Sequence, residues 1–235
     1  MKIIDLSQEI YQGMPLPQIF LKTVLWYHAT HEETKDSFPQ EYPFHSYAIM
    51  GILMGDHSGT HVDSIFHLTD DLGAPTIDKM PLEMFCTEAV CLDVSHVSPD
   101  EYITLEDIKE ALSKHKLNIK NGDAVLLYTG HYNRRYGTEE WLSRYTGLDL
   151  EAARWLADQG AVNVGTDAPS LDSTKCIKTR YYPAHIVCKE RSIVNTEGLA
   201  SLDKVAGKRF TFVGLPLKIR GGTGSPIRAI AILNE

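Results

Sequence analysis

Cysteine is scarce in this sequence, and the four present do not cluster. Cys86, Cys91, Cys176 and Cys188 form no Cys-x-x-Cys pair, which excludes a zinc ribbon and a thioredoxin-type redox motif. They read as small buried hydrophobes of a protein in the reducing cytoplasm. Positive charge is in deficit: 23 Lys and Arg stand against 31 Asp and Glu, a formal net charge of −8. Such a chain offers neither nucleic acid nor an anionic membrane its main surface. No apolar run approaches the length of a membrane span. The opening Met1-Lys2-Ile3-Ile4-Asp5-Leu6 carries an acid at position five and no long apolar stretch. It reads as a first strand and not as a signal peptide. Repeats, low-complexity tracts and linkers are also missing. The 235 residues therefore read as one domain over 1–235, long enough to bury a real core.

Strand and helix patterns alternate irregularly, which points to a mixed α/β fold. Strands are expected over 2–6, 47–54, 87–94, 124–128, 161–165, 192–196, 209–217 and 227–233, and a looser one over 19–28. The charged stretch 31–36 reads as an exposed turn. Thr104, with Asp107 three residues on, predicts a capped helix whose apolar face is Leu105, Ile108, Ala111 and Leu112. Asp149 predicts a second helix running to Gln159, stopped by Gly160. Pro183 suits the first turn of a helix carrying His185. Gly221-Gly222-Thr223-Gly224-Ser225-Pro226 lacks the Gly-Lys-Ser/Thr end of a P-loop. It offers either backbone N–H groups to a substrate or a plain hairpin-like connection. Thr129 to Tyr136 follows a strand end, where α/β proteins place ligands; solvation of Arg134 and Arg135 is the simpler reading.

One stretch stands apart: His57-Ser58-Gly59-Thr60-His61-Val62-Asp63-Ser64-Ile65-Phe66-His67. It packs three histidines and an aspartate into eleven positions, and imidazole and carboxylate suit zinc or manganese. All the offsets are even, so a straight strand would align the side chains but spread them over about 33 Å, too far for one metal shell. A helix would join His57 to His61 and leave Asp63 pointing away. The chain must bend inside the motif, and Gly59 is the residue that bends without steric cost. Thr60 and Ser58 are candidates to orient the ligands or to make the turn.

The run at 57–67 resembles the His-x-Gly-Thr-His-x-Asp-x-Pro-x-His signature of the kynurenine formamidase and cyclase superfamily of metal-dependent hydrolases. Gly165-Thr166-Asp167-Ala168-Pro169-Ser170, Gly214-Leu215-Pro216-Leu217-Lys218, the glycine-rich stretch through Ala229, and His185 with Glu197 twelve residues later are similar to the same family. The resemblance implies an α/β fold of the swivelling β/β/α type, with a mixed, barrel-like sheet and flanking helices, in dimers or tetramers. It implies two divalent ions, zinc with manganese as the alternative. His57 and His61 would bind one ion and His185 the other, with Asp63 and Glu197 bridging and His67 transferring protons. The implied substrate is a small amide, most simply an aryl formamide such as N-formylkynurenine, cleaved at its C–N bond by metal-activated water. A cyclic amide such as an isatin-like lactam is the alternative, and a non-catalytic metal-binding domain a third reading.

The chain departs from the signature at one position, where Ile65 replaces the proline. The stretch 13–17 also lacks the tryptophan that aryl-formamide enzymes often carry in the N-terminal loop. Loops at 12–19 and 38–44 are the expected pocket walls.

Overall fold

The computed structural model describes residues 1–39, 43, 45–99 and 101–233. The chain forms two compact units, one of residues 1–9 with 56–235 and one of residues 10–55.

Within the chain the strands are β1 (Lys2–Asp5), β2 (Val24–Ala29), β3 (Ile49–Leu53), β4 (His61–Asp63), β5 (Cys86–Asp93), β6 (Tyr102–Ile103), β7 (Ala124–Tyr128), β8 (Gly147–Leu148), β9 (Asn163–Thr166), β10 (Val194–Glu197), β11 (Arg209–Val213), β12 (Gly224–Pro226) and β13 (Ile230–Leu233). The larger unit is built on a mixed nine-stranded sheet in the order β1-β13-β11-β5-β7-β9-β10-β4-β12. Its four central strands, β5, β7, β9 and β10, run parallel. The flanking pairings are antiparallel. This is the mixed sheet with flanking helices expected of the α/β class.

Burial on both faces explains the apolar runs of the centre. Along β5 and β7, Val90, Leu92, Val125 and Leu127 face one core, while Ala89, Cys91, Ala124 and Leu126 face the other. The helices of the larger unit are α2 (Leu105–His115), α3 (His131–Arg135), α4 (Leu150–Asp158), α5 (Lys175–Thr179) and α6 (Pro183–Arg191); α2, α4 and α6 close the first core through Ile108, Leu112, Leu156 and Val187. The second is filled by Phe85, Phe210, Phe212 and Leu199. The predicted caps form. Thr104 and Asp107 make a reciprocal capping box, Asp149 accepts from the Ala152 N–H, and Pro183 sits in the first turn of α6. The four cysteines are free, three of them buried and Cys86 exposed. Among the described residues no helix is long and apolar enough to cross a membrane.

The smaller unit holds α1 (His31–Thr34) and a ribbon of β2 and β3. The expected turn at 31–36 begins instead as this single helical turn, because Thr30 and Glu33 cap it reciprocally. Trp26 stands opposite Gly51, whose missing Cβ leaves the space its ring fills. The strand expected over 47–54 forms as β3, which among the described residues pairs with β2 and lies in the smaller unit. The motif is carried by the larger one. Of the candidate wall at 38–44, residues 40–42 and 44 lie outside the described residues.

Candidate metal centre

The motif bends where glycine permits. Gly59 has φ +68°, and after it the chain enters β4, then a 3-10 turn over Ile65–Leu68. His57 therefore lies before the bend, His61 and Asp63 share one face of β4, and His67 lies on the 3-10 turn. Neither the straight-strand nor the helical reading describes the whole motif.

Register then brings in distant residues. β10 runs antiparallel to β4 with Glu197 opposite His61 and Asn195 opposite Asp63. Directly opposed residues project to the same face, so these four side chains form one patch on the sheet. Helix α6 adds His185 above it: its Nε2 lies 3.9 Å from Asp63 Oδ2 and 3.8 Å from Glu197 Oε1.

The two carboxylates divide their oxygens. Asp63 Oδ1 lies 2.7 Å from His57 Nδ1 and 3.5 Å from His61 Nε2. Glu197 Oε2 lies 3.6 Å from His61 Nε2. The other oxygens, Asp63 Oδ2 and Glu197 Oε1, face His185. Among the described residues, His61–Asp63–Glu197 and His57–Asp63–His67 are the groups whose ligand atoms lie within 4.8 Å of one another, and they share Asp63 as a first set; His185 with Asp63 Oδ2 and Glu197 Oε1 forms a second, wider set. Within the first set, the ring centroid of His67 lies 4.1 Å from that of His57.

Each histidine is oriented through its far nitrogen, as metal-binding imidazoles require. Thr223 donates its hydroxyl proton to Asp56 Oδ2 at 2.6 Å, and its oxygen lies 2.9 Å from His57 Nε2. This leaves His57 Nδ1 facing Asp63. His61 Nδ1 lies 3.0 Å from the Gly59 carbonyl, which leaves Nε2 facing the carboxylates. His185 Nδ1 lies 2.5 Å from Asp172 Oδ2, and Asp172 is held in turn by the N–H groups of Ala184 and His185.

The electrostatics are those of a site built for positive charge. Burial alone would lower the His185 pKa, but the Asp172 bond and the charges of Glu197 and Asp63 push it up to about 9. Burial likewise opposes protonation of His57, and Asp63, Asp56 and Glu197 more than offset it. Burial would raise the Asp63 carboxyl, yet the bond from His57 and the surrounding imidazoles hold it well below the usual carboxylate range. Desolvation and the neighbouring imidazoles lower the His67 pKa, against the pull of Asp63, while the side chain stays exposed to solvent. Buried carboxylates crowded by oriented imidazoles are a donor set that fits divalent cations.

Several expectations need correcting. Thr60 does not orient a ligand: its hydroxyl donates to the Gly198 carbonyl and accepts from the Gln8 N–H. Ser58 is buried with its hydroxyl unpartnered. In the glycine-rich stretch the Gly222 N–H closes a turn on the Ile219 carbonyl and the Gly221 N–H donates to Asp78 Oδ1. Thr223 and Gly224 donate theirs to Asp56, and Gly224 begins β12 against β4. Arg134 donates to the Thr129 carbonyl and Arg135 pairs with Glu140, so the stretch after β7 is occupied with its own structure. Asp56, Thr223, Asp172 and Asn195 were missed. Asn195 alone had a clear signal, two residues before Glu197 on a strand and so on the same face.

The Cyclase family model matches residues 4–173. A kynurenine formamidase of Salinibacter ruber is 33% identical over 179 residues, 76% of this chain and 77% of that one. An isatin hydrolase of Roseibium aggregatum is 29% identical over 199 residues, 77% of this chain and 73% of that one. The fold is similar to the solved structure of isatin hydrolase A from Labrenzia aggregata bound to benzyl benzoate, with TM-score 0.84 and 26% identity over 100% of this chain and 94% of that one. With the family signature bent into one cluster of oriented donors and the match spanning most of the sequence, this chain belongs to the cyclase family.

Proposed function

We propose that the chain is a metal-dependent hydrolase of a small amide, most simply an aryl formamide, cleaving its C–N bond. The observation that carries the metal reading is the division of the Asp63 and Glu197 oxygens between two sets of nitrogen donors. On this reading His57 and His61 would hold one divalent ion and His185 another, with Asp63 and Glu197 serving both. When bound, such ions lower the pKa of water toward neutrality and polarise a carbonyl oxygen. Zinc fits this donor set, and manganese is the alternative. The non-catalytic reading is set aside, since the matched relatives named for an activity are enzymes.

The chain's own residues supply the proton transfer. His67 has a lowered pKa and so carries a free imidazole nitrogen near neutral pH. It takes the proton of the attacking water and returns it to the departing nitrogen, an otherwise poor leaving group. Asp56, Thr223, the Gly59 carbonyl and Asp172 meanwhile hold the ligand imidazoles in their binding tautomers. Replacing His67 by alanine lowers turnover by about 10²- to 10⁴-fold and leaves bound metal unchanged. Loss of metal from that variant would remove the role assigned to His67.

The formamide reading draws on the kynurenine formamidase relative. A cyclic lactam is the second reading, favoured by the isatin hydrolase relative. N-formylkynurenine and isatin, each given to zinc-loaded, manganese-loaded and chelated protein, decide between them. The expected outcome is turnover of the formamide that vanishes on chelation. Turnover of isatin alone would transfer the assignment to the lactam and make the Ile65 wall the first feature to probe.

We further propose that the working form is a homo-oligomer, a dimer or tetramer, located in the cytoplasm, with all of 1–235 acting as one hydrolase. The ribbon of β2 and β3 supports association. A two-stranded ribbon has little stability alone, and this one exposes Trp26, Tyr27, Ile49, Met50, Ile52 and Leu53. Free cysteines accord with a reducing compartment.

A further inference from the structure

Asn195 occupies the place where the second donor set converges. Its Nδ2 lies 2.7 Å from Asp63 Oδ2, 2.8 Å from Glu197 Oε1 and 3.4 Å from His185 Nε2. The residue is fully buried, and its Oδ1 accepts no hydrogen bond. A carboxamide placed this way stands in for a cation, because its N–H groups satisfy two carboxylates. A divalent ion reverses the requirement: the same three atoms become ligands, and an amino group aimed among them meets positive charge. A half-turn of the amide about its last side-chain bond exchanges Nδ2 for Oδ1, and a carbonyl-type oxygen is a donor that hard divalent ions accept.

We propose that Asn195 is a further protein ligand of the second ion, through Oδ1. The proposal rests on the two-ion reading above and adds to it a residue that the histidine motif does not contain. Strand geometry carries it: Asn195 is two residues from Glu197 on β10 and directly opposite Asp63 on β4, so it cannot leave that face without breaking the register. The amide also makes the two positions chemically unequal. Two imidazoles serve the first ion, while the second faces one imidazole and three oxygens. The second position therefore suits manganese better than the first does.

Two variants separate a ligand from a hydrogen-bonding neighbour. Asn195→Leu keeps the side-chain size and removes both polar atoms. Asn195→Asp keeps an oxygen donor and removes the N–H groups. Each protein is stripped with chelator and titrated with Zn2+. Bound metal per chain is measured by mass spectrometry after gel filtration, and affinity by competition with a coloured chelator. Wild type is expected to bind two ions. N195L is expected to keep the first and to bind the second at least about 100-fold more weakly, beyond the usual loss for an indirect partner. N195D is expected to keep both.

Two ions held by N195L with unchanged affinity would overturn the ligand role. So would loss of the second ion from N195D as well, since that pattern belongs to an N–H donor that positions the carboxylates. Wild type saturating at one ion would overturn the two-ion reading itself, and the ligand role with it. Should N195L fail to fold, as judged by circular dichroism, N195D still decides, because the two roles predict opposite results for it.

Discussion

Asp172 shows how much of this site depends on one proton. Its Oδ2 accepts from the main chain of His185 and lies beside the Nδ1 of the same residue. This fixes one proton on Nδ1 and makes Nε2 the nitrogen that faces Asp63 and Glu197, where a cation would take the place of its proton. Asp172→Asn puts an amino group or a weaker acceptor at that contact. The imidazole then loses its bias toward the binding tautomer, and affinity for the ion on the His185 side falls by about 10- to 100-fold. Chelator competition on the purified variant measures it, and an unchanged second affinity would refute the orienting role. The candidate ligands His57, His61 and Asp63 and the candidate proton carrier His67 were visible together in sequence, because they stand in one short run. Their partners were not. Asp172 and Thr223 reach their histidines from 13 and 166 residues away, and only the folded register reveals that.

Elements convert those residues into a site through two periodicities. A strand repeats its face every second residue, so β4 contributes His61 and Asp63, and β10 contributes Asn195 and Glu197. Antiparallel register then sets the pairs opposite each other. β12 buttresses β4 on its other side, with Gly224 opposite Asp63. A Cβ at Gly224 would come within 2.7 Å of the Val62 carbonyl oxygen and 2.8 Å of His57 Cε1. Backbone cannot yield as a side-chain tip can, so Gly224→Ala costs about 1–3 kcal/mol of stability. It also displaces His57 and weakens the first ion's binding. Thermal melts with and without zinc report both effects, and a variant as stable and as metal-loaded as wild type would show that the strand pair tolerates the methyl. The glycine-rich composition was visible in sequence, but its purpose was not. It read as a substrate-facing loop or a plain connection, whereas the Thr223 and Gly224 N–H groups serve Asp56 and the bare Gly224 Cα makes room for an imidazole.

At the scale of the molecule, the central sheet explains itself and the ribbon does not. The larger unit buries apolar residues on both faces of its parallel strands, which the unbroken runs in β5 and β7 had announced. The strand at 47–54 read just as apolar. Composition cannot distinguish a strand buried by its own chain from one that carries its apolar surface outward. Among the described residues β2 and β3 pair only with each other, and Trp26 is 47% exposed and Ile52 60% exposed. The homo-oligomer proposed above would bury this exposed apolar surface, and association of identical chains closes most simply by symmetry. Placing charge on it should separate the copies while sparing the metal ligands, which lie in the other unit. Trp26→Glu with Ile52→Asp is therefore expected to elute as a monomer where the wild type elutes as a dimer or tetramer, with bound metal per chain retained. Light scattering coupled to gel filtration reads the mass directly. A double variant that keeps the wild-type mass would move the interface elsewhere and leave the ribbon's apolar face without a partner of its own kind.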